Sequence, residues 1–309
     1  MVIRSTGSPL GALALAALLI AAPLRAQEPV APAPAAGITW ITPDFSLGSG
    51  AALSHKTMVG PLLDYLGAQW NVPQRVLLAN AKRSWSLLRA GENVCHLVSL
   101  RTPERESQAF FVNTHLVPPL QLVTHRQALA LLPLNAAGEV ELERLWRQQR
   151  LKGALIEGRS YGAQLDQLLA QRPPGAMESH VPGDFGMRVL QLVAAGRADY
   201  TLDYDFSLQQ QKDWFPALQD LVTVPLQGQS EPQISGIACP RNAWGARVAQ
   251  RLRQLLATPA GIAALKASFD PALTPQTRAR YGARIAAYYD QLPAELLRGP
   301  ALAALDAPP

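Results

Sequence analysis

Residues 99–111 read SLRTPERESQAFF, and their types and spacing suit the seating of a carboxylate. Thr102-Pro103 is a helix start. A Thr hydroxyl caps free N–H groups, and Pro is tolerated at the first helical position because its missing N–H had no partner there. Arg105 then falls in the first turn, at the positive end of the helix dipole, where a cation is disfavoured. A local choice against the grain points to a use. Exposed N–H groups, a hydroxyl and a guanidinium can converge on one anion there. The plainer reading is an Arg105 that is solvated, or paired with Glu104 or Glu106.

Gly158-Arg159-Ser160-Tyr161-Gly162 is a literal G-x-S-x-G set between an expected strand and an expected helix, as a nucleophile elbow would be. A hydrolase of that kind needs an acid and then a His downstream. The one His after Ser160 is His180, and the acids between them, Asp166 and Glu178, lie on or just beyond the same helix. No Gly-rich oxyanion loop precedes the motif, so the enzyme reading fails. Ser160 and the N–H groups of the helix start can instead hold an anion without chemistry, or the glycines serve only the turn. Asp203, Tyr204 and Asp205 end the strand ADYTLD and begin the following helix. A carboxylate on a strand's C-terminal edge is where α/β sheets present ligand groups, although Asp at such a junction also serves as a helix cap.

Other chemistries find no support. His55, His96, His115, His125 and His180 show no metal-ligand spacing, so no metal is expected. His96 is expected to be a core or sheet-face residue. A P-loop, a dinucleotide fingerprint and the paired acids of a glycosidase are absent, so no cofactor is expected either.

The elements that must position these residues follow a long approach. Residues 1–26 have the pattern of a secretory signal peptide: Arg4 first, then an apolar run over 10–24, and the small Ala26 for cleavage. The run is shorter than the roughly 20 residues that span a bilayer. Residues 27–37, QEPVAPAPAAG, are expected to be a disordered linker. Removing the leader leaves 283 residues and takes the formal charge from +5 to +3. The remaining basic residues are scattered, so nucleic acid is not an expected partner. The expected compartment is the periplasm, an oxidising one, where Cys95 and Cys239 form either one bridge or two separate buried thiols.

From residue 38 the pattern alternates. Strands are expected at 38–42, 75–79 and 94–100. Helices lie between them, the first carrying Met58, Leu62, Leu63, Leu66 and Trp70 at helical spacing, the second burying Trp85 and Leu88. This is the β-α-β-α-β order of a parallel, doubly wound α/β sheet. Residues 116–124 are extended because Pro118-Pro119 forbids helix, and are expected to be one crossing strand. The alternation restarts with a strand at 154–157, a helix at 161–171, an Asp184-capped helix to Ala195 and strands at 198–203 and 222–226. Residues 234–239 are the second expected crossing strand. Helices at 242–257 and after Thr258-Pro259 and Thr274-Pro275 complete the chain, the last with a packing stripe of Tyr281, Ile285 and Tyr288.

The order of these motifs resembles the type 2 periplasmic solute-binding proteins, in particular family 3, which includes polar amino-acid receptors. The resemblance rests on Thr102-Pro103-Glu104-Arg105 with Phe110-Phe111, on Lys152-Gly153 through Ser160 and Gly162, on Gly196-Arg197-Ala198-Asp199 with Asp203, and on Gly236-Ile237-Ala238. It implies a two-lobed fold with two hinge strands: residues 38–116 and 234–309 in lobe one, residues 117–233 with the hinge segments in lobe two. It implies that Arg105 grips a ligand carboxylate, with Thr102 and Ser99 beside it, that Ser160 adds an anion contact, that Asp203 meets an ammonium, and that Phe45 stacks on the ligand. It places residues 236–239 antiparallel beside 94–100, and so implies a Cys95–Cys239 disulfide. The implied protein is a monomeric receptor, not an enzyme, that delivers a small carboxylate-bearing, amino-acid-like ligand to an ABC permease. The same fold also serves as a sensing subunit of a membrane signalling protein, or as a scaffold for a dehydratase. The chain departs from the amino-acid receptors at 56–60, KTMVG, where they carry a Gly-Phe-Asp-like sequence, and at 99–101, SLR, where they are richer in Gly and Thr.

Overall fold

A computed structural model describes residues 37–42, 58–182 and 187–298. Phe45, Asp184, the leader and most of the linker lie outside the described residues.

Two five-stranded mixed sheets, each covered by helices, make an α/β protein of two lobes. In the first, β1 (Ile38–Thr42) pairs in parallel with β2 (Gln74–Leu78) and β3 (Val94–Leu100). Helices α1 (Gly60–Gln69) and α2 (Ala81–Arg89) make the crossovers. Pro61 sits in the first turn of α1, where it costs no hydrogen bond, and Asn80 caps α2 through the Arg83 N–H. The sheet continues with β10 (Gln233–Pro240), antiparallel to β3, and ends with β4 (Ala109–Val117), giving the order β2-β1-β3-β10-β4.

The second sheet has the order β7-β6-β8-β5-β9. Its parallel strands are β6 (Gly153–Ile156), β7 (Met177–His180) and β8 (Tyr200–Asp203). Strand β5 (Gln121–His125) runs antiparallel between β8 and β9 (Leu221–Pro225). Each sheet therefore contains one antiparallel strand, supplied by a segment that has just crossed between lobes.

The first crossing differs from the single strand expected over 116–124. Strand β4 belongs wholly to lobe one, and residues 118–120 separate it from β5. Pro118 and Pro119 have no N–H to give to a ladder, so pairing stops there and resumes in the other sheet. The return crossing spans residues 226–232. Gln121 lies opposite Pro225 and Val117 opposite Gln233, so the two connections run side by side.

Cys95 and Cys239 are joined in a disulfide with 4.4 Å between their Cα atoms, tying β3 to β10 across 144 residues of sequence. The lobe-one core gathers Trp40, Leu66, Leu97, Val112 and Ile237 beneath α8 (Ala243–Leu256), α9 (Pro259–Phe269) and α10 (Pro275–Leu297). Tyr281, Ile285 and Tyr288 pack on this core as expected, Tyr288 half-buried, and Tyr289 is buried with them. Lobe two packs Leu122, Leu155, Tyr200 and Leu202 against α4 (Leu142–Gln148) and α5 (Ala163–Ala170), and Val123, Ala154 and Ile156 against α6 (Met187–Ala194).

Candidate functional site

The lobes meet where two strand-to-helix junctions face each other. In lobe one, β3 runs into α3 (Pro103–Gln108), capped by Thr102, whose hydroxyl accepts the Arg105 N–H at 3.3 Å. The Arg105 guanidinium lies over the Trp85 ring, 4.6 Å from its centroid, and Trp85 is backed by Phe111 in a stacked pair. Arg105 Nη1 donates to the Leu100 carbonyl and Nη2 to the Gly158 carbonyl of the other lobe, each at 3.4 Å. Glu106 is taken by Arg101, and among the described residues no carboxylate lies within ion-pair distance of Arg105. Burial lowers the Arg105 pKa from its ordinary value to about 10, against the pull of Asp166 and Glu104 and with a smaller push from Arg159. This guanidinium is half-shielded, held by a cation–π contact and two long hydrogen bonds, and has charge to spare.

Ser99 is buried, and its hydroxyl is engaged by His96 Nδ1 at 2.6 Å. Burial, and then the nearby Arg105, lower the His96 pKa to about 3, so the imidazole is neutral. It sits on the sheet face as expected.

In lobe two, the turn after β6 is braced internally. Ser160 donates to Asp166 Oδ2 at 2.5 Å and accepts the Gly162 N–H at 3.2 Å, while Asp166 Oδ1 accepts the Tyr161 N–H at 2.7 Å. Tyr161 returns its hydroxyl oxygen to the Ile156 N–H. A nucleophile elbow would have the serine hydroxyl donate to a His; here it donates to Asp166, a residue of the following helix. Gly158 and Gly162 both have positive φ, +77° and +96°, as the turn requires.

Asp203, at the end of β8, is 3% exposed and meets a guanidinium of its own lobe. Arg159 Nη2 donates to Asp203 Oδ1 at 2.8 Å, and the same oxygen accepts the Tyr204 N–H. Oδ2 accepts the Ser207 hydroxyl at 3.4 Å from α7 (Asp205–Lys212). Arg159 lies near the rings of Tyr161 and Tyr204, at 5.3 and 5.7 Å. Burial works against its charge, but Asp203 outweighs that and holds the guanidinium above its ordinary pKa. Tyr204 is half-buried beside it, and desolvation raises its pKa.

Arg105, Thr102 and Ser99 thus stand on one wall, with Ser160 and Asp203 on the other. The walls touch through Arg105 and Gly158, and through an exposed Lys82–Glu157 bridge of 2.6 Å. Arg159, Trp85 and Tyr204 belong to the same cluster and were not foreseen as site residues. Their one sequence signal is the Arg inside the G-x-S-x-G turn. Among the described residues, no group of three or more His, Cys, Asp or Glu is placed to hold a metal ion, and no helix is long and apolar enough to cross a membrane.

No protein-family model matches the chain, and no curated protein is similar to it. Solved structures are. A histidine kinase sensor domain with similarity to periplasmic binding proteins is 16% identical, with a TM-score of 0.53, covering 86% of this chain and 97% of its own. A solute receptor for L-cysteine of Neisseria gonorrhoeae is 14% identical, with a TM-score of 0.56, covering 80% and 92%. The substrate-binding protein of an amino acid ABC transporter is 11% identical, with a TM-score of 0.51, covering 85% and 100%. The fold is that of the periplasmic binding proteins. Asp203 ends the parallel strand β8, and Arg105 lies in the helix that follows the C-terminal end of β3.

Proposed function

We propose that this chain is an exported solute-binding protein that closes two lobes on a small carboxylate-bearing ligand. The observation that carries this reading is Arg105: a guanidinium with no carboxylate partner among the described residues, reaching from lobe one to the Gly158 carbonyl of lobe two. Thr102 and Ser99 shape its wall, Ser160 and Asp203 the opposite one, and Phe45, outside the described residues, is proposed to stack on the ligand. A ligand carboxylate between them would replace two long carbonyl contacts with a charge-assisted pair, so ligand favours the closed form. The closed form is what a membrane partner reads.

The partner proposed first is an ABC permease, in keeping with the amino-acid transporter protein that shares the fold. The sensor domain of a histidine kinase shares it too, which favours signalling as the second reading. The reading is tested by thermal shift of the mature chain against small mono- and dicarboxylates, with Arg105→Ala as control. At least one acid should raise the melting temperature of the native protein, and that shift should vanish in R105A with the far-UV spectrum unchanged. An acid that stabilises both proteins equally overturns the role of Arg105. The absence of any response in the native protein overturns the function.

A further inference from the structure

We infer that the ligand is an acid without an ammonium group, a 2-oxo acid, 2-hydroxy acid or simple dicarboxylate, because Arg159 already occupies the carboxylate that an ammonium would need. This rests on Arg105 as the seat of the ligand carboxylate. Asp203 has both oxygens engaged, Oδ1 by Arg159 and the Tyr204 N–H, Oδ2 by Ser207. An ammonium bound there would have to displace a guanidinium whose side chain is only 5% exposed and which is already paired with that carboxylate in a dry setting.

The neighbouring acids do not offer a second seat. Asp166 is satisfied by Ser160 and the Tyr161 N–H, and Glu157 is paired with Lys82. Glu104 stands exposed at the start of α3, where its charge already supports that of Arg105. The aromatic faces are taken as well: Trp85 lies under Arg105, and Tyr161 and Tyr204 lie beside Arg159. Arg159, although paired with Asp203, still weighs slightly against the Arg105 charge, so a further cation beside Arg105 adds to that burden and an anion offsets it. The site therefore selects by charge: a carboxylate is attracted and an α-ammonium finds no free counter-charge.

The test uses matched pairs on the full mature chain at pH 7, titrated by calorimetry: 2-oxoglutarate against L-glutamate, pyruvate against L-alanine, succinate against L-aspartate. In at least one pair the acid without nitrogen should bind, with its amino partner about a hundredfold weaker, as a like-charge contact demands. Arg159→Met, which frees Asp203, should narrow or reverse that ratio; should that variant not fold, the native comparison decides alone. Equal or tighter binding of the amino acid overturns this inference while leaving Arg105 as a carboxylate seat. Silence from both members of every pair overturns the seat itself and the inference with it. An unchanged ratio in folded R159M also overturns the inference.

Discussion

Arg159 and Asp203 form an ion pair 2.8 Å long whose side chains keep only 5% and 4% of their exposure, on two elements 44 residues apart. The pair joins the turn after β6 to the end of β8, so it braces the wall of lobe two as well as setting its charge. Removing Arg159 leaves the Asp203 charge in a dry setting without its guanidinium, and removing Asp203 costs Arg159 the carboxylate that holds its charge. Asp203→Asn and Arg159→Met should each cost about 3–5 kcal/mol in urea unfolding, and the double variant should cost clearly less than their sum. Additive losses in that cycle would show that the two side chains do not depend on each other.

Gly158 brings the backbone of lobe two close to the start of α2 in lobe one. Its φ is +77°, and a Cβ there would stand 2.9 Å from the Lys82 N and 3.0 Å from its Cα. Gly158→Ala therefore adds about 1 kcal/mol of backbone strain within lobe two and a collision with lobe one that only opening relieves. The expected outcome is a ligand affinity lower by about tenfold or more, since the competent closed population shrinks, with a small loss of stability. The check is a titration of G158A with whichever acid stabilises the native chain, alongside its radius of gyration by small-angle scattering. Native affinity would mean that the bound lobes stand further apart at this point.

The Cys95–Cys239 bridge closes a loop that contains all of lobe two, with a separation of 144 residues. Chain entropy predicts a stabilisation of about 2–5 kcal/mol for a loop of that size, acting through the unfolded chain. Both sulfurs are fully buried between β3 and β10, so Cys95→Ala with Cys239→Ala also loses packing there. The double variant should melt many degrees lower and show a reduced urea midpoint, with free-thiol titration of the unfolded native chain confirming that both sulfurs are bonded. A midpoint equal to the native one would remove the bridge from the account of stability.

Local chemistry made much of this legible. The cap at Thr102 with Pro103, the strand Val94–Leu100 and the Thr258 and Thr274 caps are each decided within a few residues, and the structure has them. Strand β4 was hidden because its partner β10 is over a hundred residues away and because Asn113 and His115 look unsuited to a core. They are buried there by specific partners on α10: Glu295 accepts from Asn113, and Tyr289 engages His115. Strand β7, MESH, pairs only with β6, at the sheet edge, so it lacks the apolar alternation that would announce it. Arg159 was invisible as a site residue because its type and spacing fit a solvated turn; only the approach of β8 supplies Asp203. Trp85 was readable as buried, but that one face of its ring lies beneath Arg105 depends on how α2 and α3 pack together.

His115 gives the pH dependence of folding a source that can be isolated. Its Nδ1 meets the Tyr289 hydroxyl at 2.9 Å and its ring stacks on Phe269 at 5.1 Å, with Lys266 over the far ring of Tyr289. Burial lowers its pKa to about 3, and burial with Arg105 does the same for His96. Both imidazoles are neutral in the folded protein but take up a proton near their ordinary pKa of 6.5 once unfolded. Between pH 6.5 and about 3 the unfolded chain thus binds more protons, so stability is full above that window and falls as the pH falls through it. Each group contributes a slope of up to about 1.4 kcal/mol per pH unit. His115→Asn, which can keep a hydrogen bond to Tyr289 without titrating, should start with a lower urea midpoint at pH 7 but lose less of it by pH 5 than the native chain. Parallel declines for the two proteins over that interval would show that His115 takes up no proton on unfolding there.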